Sequence, residues 1–525
     1  MNRRLALGLL LAVAAVALAL RLPDAGRRPL HNDEAVNATK LATLFTEGRY
    51  AYDPHEYHGP ALHYFALPAL WLSGARTAED FTDFRLRLVT VAFGVACVLV
   101  LALFADGLGW RTVLFAAALS AISPAMVFYS RYFIHEMLLV FFTALLLGAA
   151  WRWWQTRTLT WAVTAGVALG LMYATKETFL IPLIAVGLAL VATGLWGKWV
   201  PTAARRGTPL PSWRQWLKPG SIALAVAAVV GVAFFTSCFT HWRGPLDSVL
   251  TYLPWLDRAG GASPHIHPWT FYFERLFWFH PVRSPVWSEA LLGLLAVVGG
   301  GAALSGRGLA EADARLARFL TFFTLAMIAA YTLLAYKTPW CLLGFLQPML
   351  LLAGLGAAVL FNLSFTQRPA ARIAVAVVLL AATLQLGWQG WRLSHEFAAD
   401  KRNPYAYSQT LPDVRELASR LTGIAKIHPA GEQMLVKVIA PESYWPLPWY
   451  LRGLKEVGWY DKLPDDPYAP VVLASTRVGA ALDEKSGRKW IMAGMYALRP
   501  GVFLELYVEL DLWKQYVATL PRDSE

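Results

Sequence analysis

The chain has 525 residues, 57% of them hydrophobic and only 16% charged, with a mean hydropathy of +0.43. That excludes an ordinary soluble globular protein, in which about a quarter of residues are charged. The net charge of +12 gives no case for a nucleic-acid partner, because the cations lie between apolar runs, where topological charge bias accounts for them. The three cysteines, Cys97, Cys238 and Cys341, fall within or at the ends of apolar runs without zinc-type spacing, so neither a disulfide framework nor a structural zinc is expected.

The first apolar run, 5–20, follows Arg3 and Arg4. Its length, and the Arg21-Leu22-Pro23-Asp24 after it with no small-residue cleavage site, predict a retained helix. Residues 21–83 read as a long first outer loop, polar and aromatic rather than a hairpin. It holds Leu30-His31-Asn32-Asp33-Glu34-Ala35 and His55-Glu56-Tyr57-His58-Gly59-Pro60. Within it, 62–72 is apolar but short and interrupted by Pro68, which suits an interfacial or re-entrant helix. Ten more spans are predicted at 85–105, 112–128, 134–151, 160–175, 178–197, 221–240, 287–304, 319–336, 340–362 and 372–391, each near the length that crosses a ~30 Å hydrocarbon core.

The connections predict the orientation. Arg3, Arg4, Arg111, Arg152, Arg157, Lys198, Arg205, Arg206, Arg214 and Lys218 lie on one side, with Arg307, Arg315, Arg318, Arg368 and Arg372. The short loops opposite carry single cations, Arg131, Lys176 and Lys337. The positive-inside bias makes the first side cytoplasmic, so eleven spans starting inside end outside. The expected protein is a multi-pass protein of the cell inner (plasma) membrane, N-terminus cytoplasmic. Residues 1–394 form its all-α transmembrane domain. From 395 the apolar runs stop, and 395–525 reads as an extracytoplasmic α/β domain. It should contain a helix over 412–421, strands over 434–439, 471–474 and 503–508, and an aromatic-rich stretch at 442–451 in which Pro446 and Pro448 oppose a regular helix.

Asp33-Glu34, Arg131 to Glu136, Lys176-Glu177, the 241–286 loop and Tyr336 to Trp340 then all fall on the extracytoplasmic side. Ionisable groups at a membrane edge are costly without compensation, so their convergence points to a site. The chemistry suits a lipid-linked phosphosugar. Arg131, Lys176 and Lys337 fit a phosphate clamp, Asp33 fits a general base for an attacking hydroxyl, and His135 and Glu136 could orient acceptor or sugar. The plainer readings are that the cations snorkel at helix ends and that Asp33 and Glu34 open a helix, where first-turn acids complement its dipole. His55 and His58, with Glu56, form a weak metal candidate lacking a clear third ligand. His265-Ile266-His267, beside Pro264 and Pro268, reads as a rigid turn.

His31-Asn32-Asp33-Glu34-Ala35, His58-Gly59-Pro60, Ser130 to Glu136, Lys176-Glu177 and Tyr336-Lys337-Thr338-Pro339-Trp340, in this order, resemble motifs of the GT-C membrane glycosyltransferases. That superfamily includes the protein O-mannosyltransferases and lipid A aminoarabinose transferases. The likeness is to a subgroup labelled flippase-activity-associated proteins, and it covers residues 1–395 and, more loosely, the tail. It implies a polyprenyl-phosphate sugar donor, a lipid, glycan or protein hydroxyl as acceptor, and inversion at the sugar carbon with Asp33 as base and Glu34 beside it. It implies a substrate-binding set of His58, Arg131, His135, Glu136, Lys176, Glu177, Tyr336, Lys337 and Trp340. No cofactor is required by it, and a divalent metal near the acids is the one it allows. The rival function is a lipid-linked oligosaccharide flippase or transport accessory without transferase activity. A transporter should place charges at the bilayer midplane and show repeat-related halves, and neither is evident.

Overall fold

The structure is a computed structural model and describes residues 1–55, 58–200, 213–254, 265–309, 311–366 and 369–521. Glu56, Tyr57, Pro264, Arg205, Arg206 and Arg368, which entered the sequence reading, lie outside the described residues. The chain divides into two compact units. One comprises Met1–Ala25, Lys40–Ala398 and Arg402–Tyr407; the other comprises Gly26–Thr39, Ala399–Lys401 and Ser408–Glu525.

The first unit is helical. Among the described residues eight helices are long and apolar enough to cross a membrane: Arg3–Arg21, Asp83–Leu108, Glu136–Thr156, Glu177–Trp199, Arg214–Phe235, Ala314–Leu333, Pro339–Asn362 and Ile373–His395. Arg3–Arg21 shows how such a helix is written. Asn2 caps it, its side chain accepting from the backbone N of Arg4 (2.9 Å). Ala6, Leu10, Ala14, Ala17 and Arg21 recur every three or four residues and are buried against Asp83–Leu99 and Trp110–Ile122. Leu5, Leu7, Leu9, Leu11 and Leu18 face outward, which suits a lipid-facing surface and would be costly in water.

Pro339–Asn362 is the most enclosed of the eight. Its extension Leu343–Thr366 crosses Ala290–Ser305 at two glycines. A Cβ on Gly356 would lie 1.9 Å from the carbonyl oxygen of Leu295, and one on Gly299 would lie 2.1 Å from that of Leu352. Small residues let helix backbones approach in this way where no hydrophobic effect drives helix against helix.

Three predicted spans are apolar helices shorter than the eight. Leu159–Tyr173 has 15 residues and Ala290–Ser305 has 16. The run predicted at 112–128 is two helices, Trp110–Ile122 and Pro124–Tyr129, separated at Ser123. Thirteen residues at 1.5 Å each make about 20 Å, short of the ~30 Å core. Proline disfavours the α conformation of the residue before it, and Ser123 is held extended at φ −51°, ψ 122°. Glu289 stabilises the break. Its buried carboxylate accepts from Ser123 Oγ (2.6 Å), from the backbone N of Ala125 (2.8 Å) and from Tyr405 Oη. This polar knot also explains why the helix predicted at 287–304 begins only at Ala290. The span predicted at 221–240 instead runs Trp213–Phe235 and ends where Ser237, Cys238 and Phe239 take positive φ. Residues 21–83, expected as a first outer loop, contain the α-helices Asn32–Glu47 and Ala61–Leu72, the second with Pro68 inside it.

The second unit is an α/β fold around a five-stranded sheet. Its strands are β1 (Val436–Ile439), β2 (Val457–Tyr460), β3 (Val471–Ser475), β4 (Trp490–Arg499) and β5 (Val502–Glu509), in the order β2-β1-β3-β5-β4. β1 pairs in parallel with β2 and β3, while β5 is antiparallel to β3 and β4. The parallel core strands β1 and β3 are buried throughout, Lys437 and Ser475 included, and their otherwise apolar sequences suit strands covered on both faces. The helix Asp413–Ala425 lays Val414, Leu417, Leu421 and Ile424 on the core. Gly26–Thr39, expected in the transmembrane domain, belongs to this unit, because side chains at positions 409, 415 and 450 take up its backbone groups.

The Gly299–Gly356 crossing yields a stability prediction. Gly356→Val should force the two helices apart and cost about 1–3 kcal/mol or more, visible as a lower melting temperature of the detergent-solubilised protein. Gly301→Ala, whose added Cβ meets nothing within 4 Å, should leave it unchanged.

Candidate functional site

Within the first unit, two polar clusters form around predicted residues. The first joins the His58 segment to the start of Glu177–Trp199. The backbone N of Ala61 donates to the carbonyl of Ala174 (2.9 Å), and a Cβ at Gly59 would lie 2.2 Å from that oxygen, so only glycine permits the contact. His58 Nδ1 then meets Glu177 Oε2 at 2.8 Å, and Tyr52 Oη donates to Glu177 Oε1 at 3.2 Å. Burial beside Glu177 pushes the Tyr52 phenol well above its usual range, so Tyr52 is a neutral donor here. The His135 ring packs 5.2 Å from His58, and its Nε2 lies 3.0 Å from the carbonyl of Gly59. A carbonyl only accepts, so Nε2 carries the proton and Nδ1 holds a lone pair. That Nδ1 is buried without a hydrogen-bond partner.

Next to this cluster Lys176 and Glu136 form a direct, buried ion pair. Burial pulls the Lys176 ammonium down, but Glu136 outweighs it and the net displacement is upward. Lys176 is therefore a fixed cation whose charge is already matched.

The second cluster is the turn Tyr336 to Trp340. An antiparallel bridge couples Tyr336 to Ile266, and the backbone N of Lys337 donates to the carbonyl of His265 (2.8 Å). Tyr407 Oη holds the turn from the other side, 2.9 Å from His265 Nδ1 and 3.0 Å from His267 Nε2. Lys337 is 2% exposed, and its ammonium donates only to backbone carbonyls, those of Leu334 and of His267 (3.2 Å). Burial lowers its pKa. Among the described residues no carboxylate pairs with it. Glu136 and Trp340 line one cleft, otherwise walled mainly by apolar side chains such as Phe104, Val140, Phe323 and Met327.

Arg131 is buried, and its Nη1 meets His395 Nε2 at 2.8 Å. A guanidinium only donates, so His395 Nε2 accepts, while its Nδ1 donates to the carbonyl of Trp391 (2.9 Å). His395, Tyr407 and Tyr52 were not singled out as site residues in the sequence. No local motif marks them, since each is distant in sequence from the residue it serves.

The acidic pair lies in the second unit and is split by its surroundings. His31 and Glu34 form a reciprocal cap on the helix Asn32–Glu47. His31 Nδ1 accepts from the backbone N of Asp33 (3.2 Å), and Glu34 Oε2 accepts from the backbone N of His31 (2.8 Å). Glu34 is fully buried and ion-paired with Arg28 at 3.1 Å. Helix opening thus accounts for His31 and Glu34 but not for the carboxylate of Asp33. Its side chain is 47% exposed, and nothing among the described residues engages it beyond a 3.8 Å approach to His31. With Nδ1 accepting an N–H, that approach is not an ion pair.

His55 is exposed and His58 is engaged by Glu177. Among the described residues no group of three or more His, Cys, Asp or Glu side chains is placed to hold a metal ion. Among the described residues, which leave out Glu56, the metal candidate at His55 and His58 gains no third ligand.

Comparison with known proteins places the fold. A family model described as dolichyl-phosphate-mannose-protein mannosyltransferase matches residues 67–204. ArnT from Cupriavidus metallidurans in the apo state superposes with a TM-score of 0.60 at 15% identity, over 96% of this chain and 98% of that one. The same protein bound to undecaprenyl phosphate gives 0.58 at 15% identity, over 96% and 99%. The fold is that of the GT-C membrane glycosyltransferases. The apo oligosaccharyltransferase of Archaeoglobus fulgidus is also similar, with a TM-score of 0.56 at 15% identity over 90% of this chain and 70% of that one. No curated protein matches by sequence. The GT-C fold and the apolar helices make the chain a multi-pass membrane protein.

The matched charge of Lys176 leads to a double-mutant test. Glu136→Gln alone strands a buried ammonium and should destabilise the protein by about 3–5 kcal/mol. Adding Lys176→Met should recover most of that loss in thermal unfolding, whereas additive losses would show that the two side chains are not coupled.

Proposed function

We propose that the protein is a membrane glycosyltransferase that takes a sugar from a polyprenyl-phosphate carrier and passes it to a lipid, glycan or protein hydroxyl on the extracytoplasmic side. The observation that carries this reading is the fold shared along nearly its whole length with ArnT, a protein solved with undecaprenyl phosphate bound. The residues supply compatible chemistry. Lys337 is a buried cation with no carboxylate partner among the described residues, the kind of group a phosphate can neutralise. Arg131 meets the neutral imidazole of His395 and is a second buried cation of this unit. Lys176 is a weaker candidate than either for contacting phosphate, because Glu136 already matches it.

In this reaction the acceptor oxygen attacks the anomeric carbon as the bond from that carbon to the phosphate oxygen breaks. Polyprenyl phosphate leaves with the bonding pair, and the configuration inverts. The acceptor's proton passes to the Asp33 carboxylate, the member of the acidic pair that capping and ion pairing leave unused. Glu34, held by Arg28, keeps the geometry of the motif and takes no proton.

Three measurements test this. Purified wild type should transfer sugar from at least one of a panel of radiolabelled polyprenyl-phosphate sugars, while the flippase-accessory role predicts no transfer from any. Asp33→Asn should lower turnover roughly 10²–10⁴-fold with donor binding retained, and full activity in that variant removes Asp33 as base. Lys337→Ala should weaken donor binding by about 1.5–3 kcal/mol, the worth of a charge-assisted hydrogen bond, and more than Lys176→Ala does. Orientation is read separately: a cytoplasm-active reporter fused after Arg206 should be active, and one fused after Asp400 silent.

A further inference from the structure

The segment leading into the acidic motif has no regular structure of its own, from Pro23 to His31. Arg28 to His31 are nevertheless buried, so their backbone polar groups must find partners. Five backbone groups of residues 26–30 are met by side chains from the far end of the chain. Tyr450 Oη accepts from the backbone N of Leu30 at 2.7 Å, across 420 residues of sequence. The Arg415 guanidinium gathers three successive carbonyls, those of Gly26 (2.6 Å), Arg27 (2.8 Å) and Arg28 (3.3 Å). Gln409 uses both ends of its amide. Its Nε2 donates to the carbonyl of Pro29 (3.3 Å), and its Oε1 accepts from Arg28 Nη1 (3.0 Å). Arg28 in turn holds Glu34, and Glu34 holds the cap from which Asp33 projects.

These side chains stand on rigid supports. Arg415 lies in the first turn of Asp413–Ala425, whose start is pinned to β4. The backbone N of Leu411 donates to the carbonyl of Leu498 (3.0 Å), and Asp413 Oδ2 accepts from the backbone N of Ala497 (3.0 Å). Tyr450 ends the short helix Leu447–Tyr450, anchored by the buried Leu447 and Trp449. A continuous chain of contacts therefore runs from the sheet to the acidic motif.

We propose that Tyr450, Gln409 and Arg415 of the C-terminal α/β unit are positioning residues for Asp33, so that this unit sets the geometry of the catalytic segment. The proposal rests on the reading of Asp33 as general base. Nothing in it requires these three residues to touch donor or acceptor. Their loss should slow the chemical step while leaving donor affinity alone, because a base displaced by a fraction of an ångström loses reactivity without affecting a phosphate held elsewhere.

The test uses the full-length protein in detergent with two independent readouts, amide hydrogen exchange over residues 26–34 and steady-state transfer from the polyprenyl-phosphate sugar that wild type uses. Tyr450→Phe removes one oxygen and keeps the ring, so its melting temperature should match wild type. Exchange at Leu30 should quicken about 2- to 10-fold, the worth of one hydrogen bond, with kcat falling and donor Kd unchanged. Arg415→Met should quicken exchange across the segment and lower kcat about tenfold or more, and Arg415→Lys should recover part of both, since an ammonium cannot span three carbonyls. Unchanged exchange in Tyr450→Phe and Arg415→Met overturns the proposal, as does faster exchange with unaltered kcat, or a donor Kd that weakens in step with kcat. A wild type that transfers no sugar overturns the reading of Asp33 and the proposal with it, and the exchange data distinguish that failure from a motif not held by these residues.

Discussion

A charge taken out of water must be matched, and each solution found in this chain fixes a piece of backbone. An unmatched buried ion costs several kcal/mol, so the polar residues that survive burial are those with partners. Lys176 is matched by Glu136, Arg28 by Glu34 and Gln409, and Glu289 by two hydroxyls and a backbone N–H. Arg21 is matched by neutral oxygens, the carbonyls of Ala17, Ser120 and Ala121 and, at its Nε, Ser130 Oγ. Its guanidinium thereby closes the C-terminal end of Trp110–Ile122, where unsatisfied carbonyls face outward from the last turn. Helix breaks, caps and close approaches in this protein are largely where such matches are made.

Lys337, like Arg21, has no carboxylate partner among the described residues. Its partners are carbonyl oxygens, which stabilise an ammonium without neutralising it, and burial lowers its pKa. Lys176, one cluster away, is driven the opposite way by a carboxylate. The two lysines looked equivalent in the sequence, each a lone cation in a short loop. What separates them is the presence of an acid forty residues earlier in one case and its absence in the other, which spacing alone does not disclose.

Much of the helical layer was legible because lipid imposes a long, uninterrupted apolar period, and all eleven predicted runs are helical somewhere within their bounds. The ends were less legible. The run through 112–128 ignores Pro124, and hydropathy has no means of noticing that Glu289 would anchor the resulting break. In the C-terminal unit β1 and β3, apolar but for Lys437 and Ser475, were readable, as was β5. β2 is four residues long with Gly458 inside it. β4 carries a register shift between Met492 and Gly494, which breaks the alternation on which a strand is recognised. The acidic motif was visible as chemistry, but its membership of the C-terminal unit was not, since Arg415 and Tyr450 carry no local mark of their distant partners.

The capping of Asn32–Glu47 gives the acidic pair a reading direction. Asp33 and Glu34 contribute the same charge to the same helix dipole, so composition, net charge and helix propensity cannot tell Asp-Glu from Glu-Asp. The protein can. The third helical position needs a side chain long enough to reach back to the His31 N–H and sideways to Arg28, which glutamate spans and aspartate, one methylene shorter, does not. In a set of homologous chains the two columns should therefore drift under different rules, the second tolerating glutamine in step with changes at the Arg28 position, and the first answering only to the substrate.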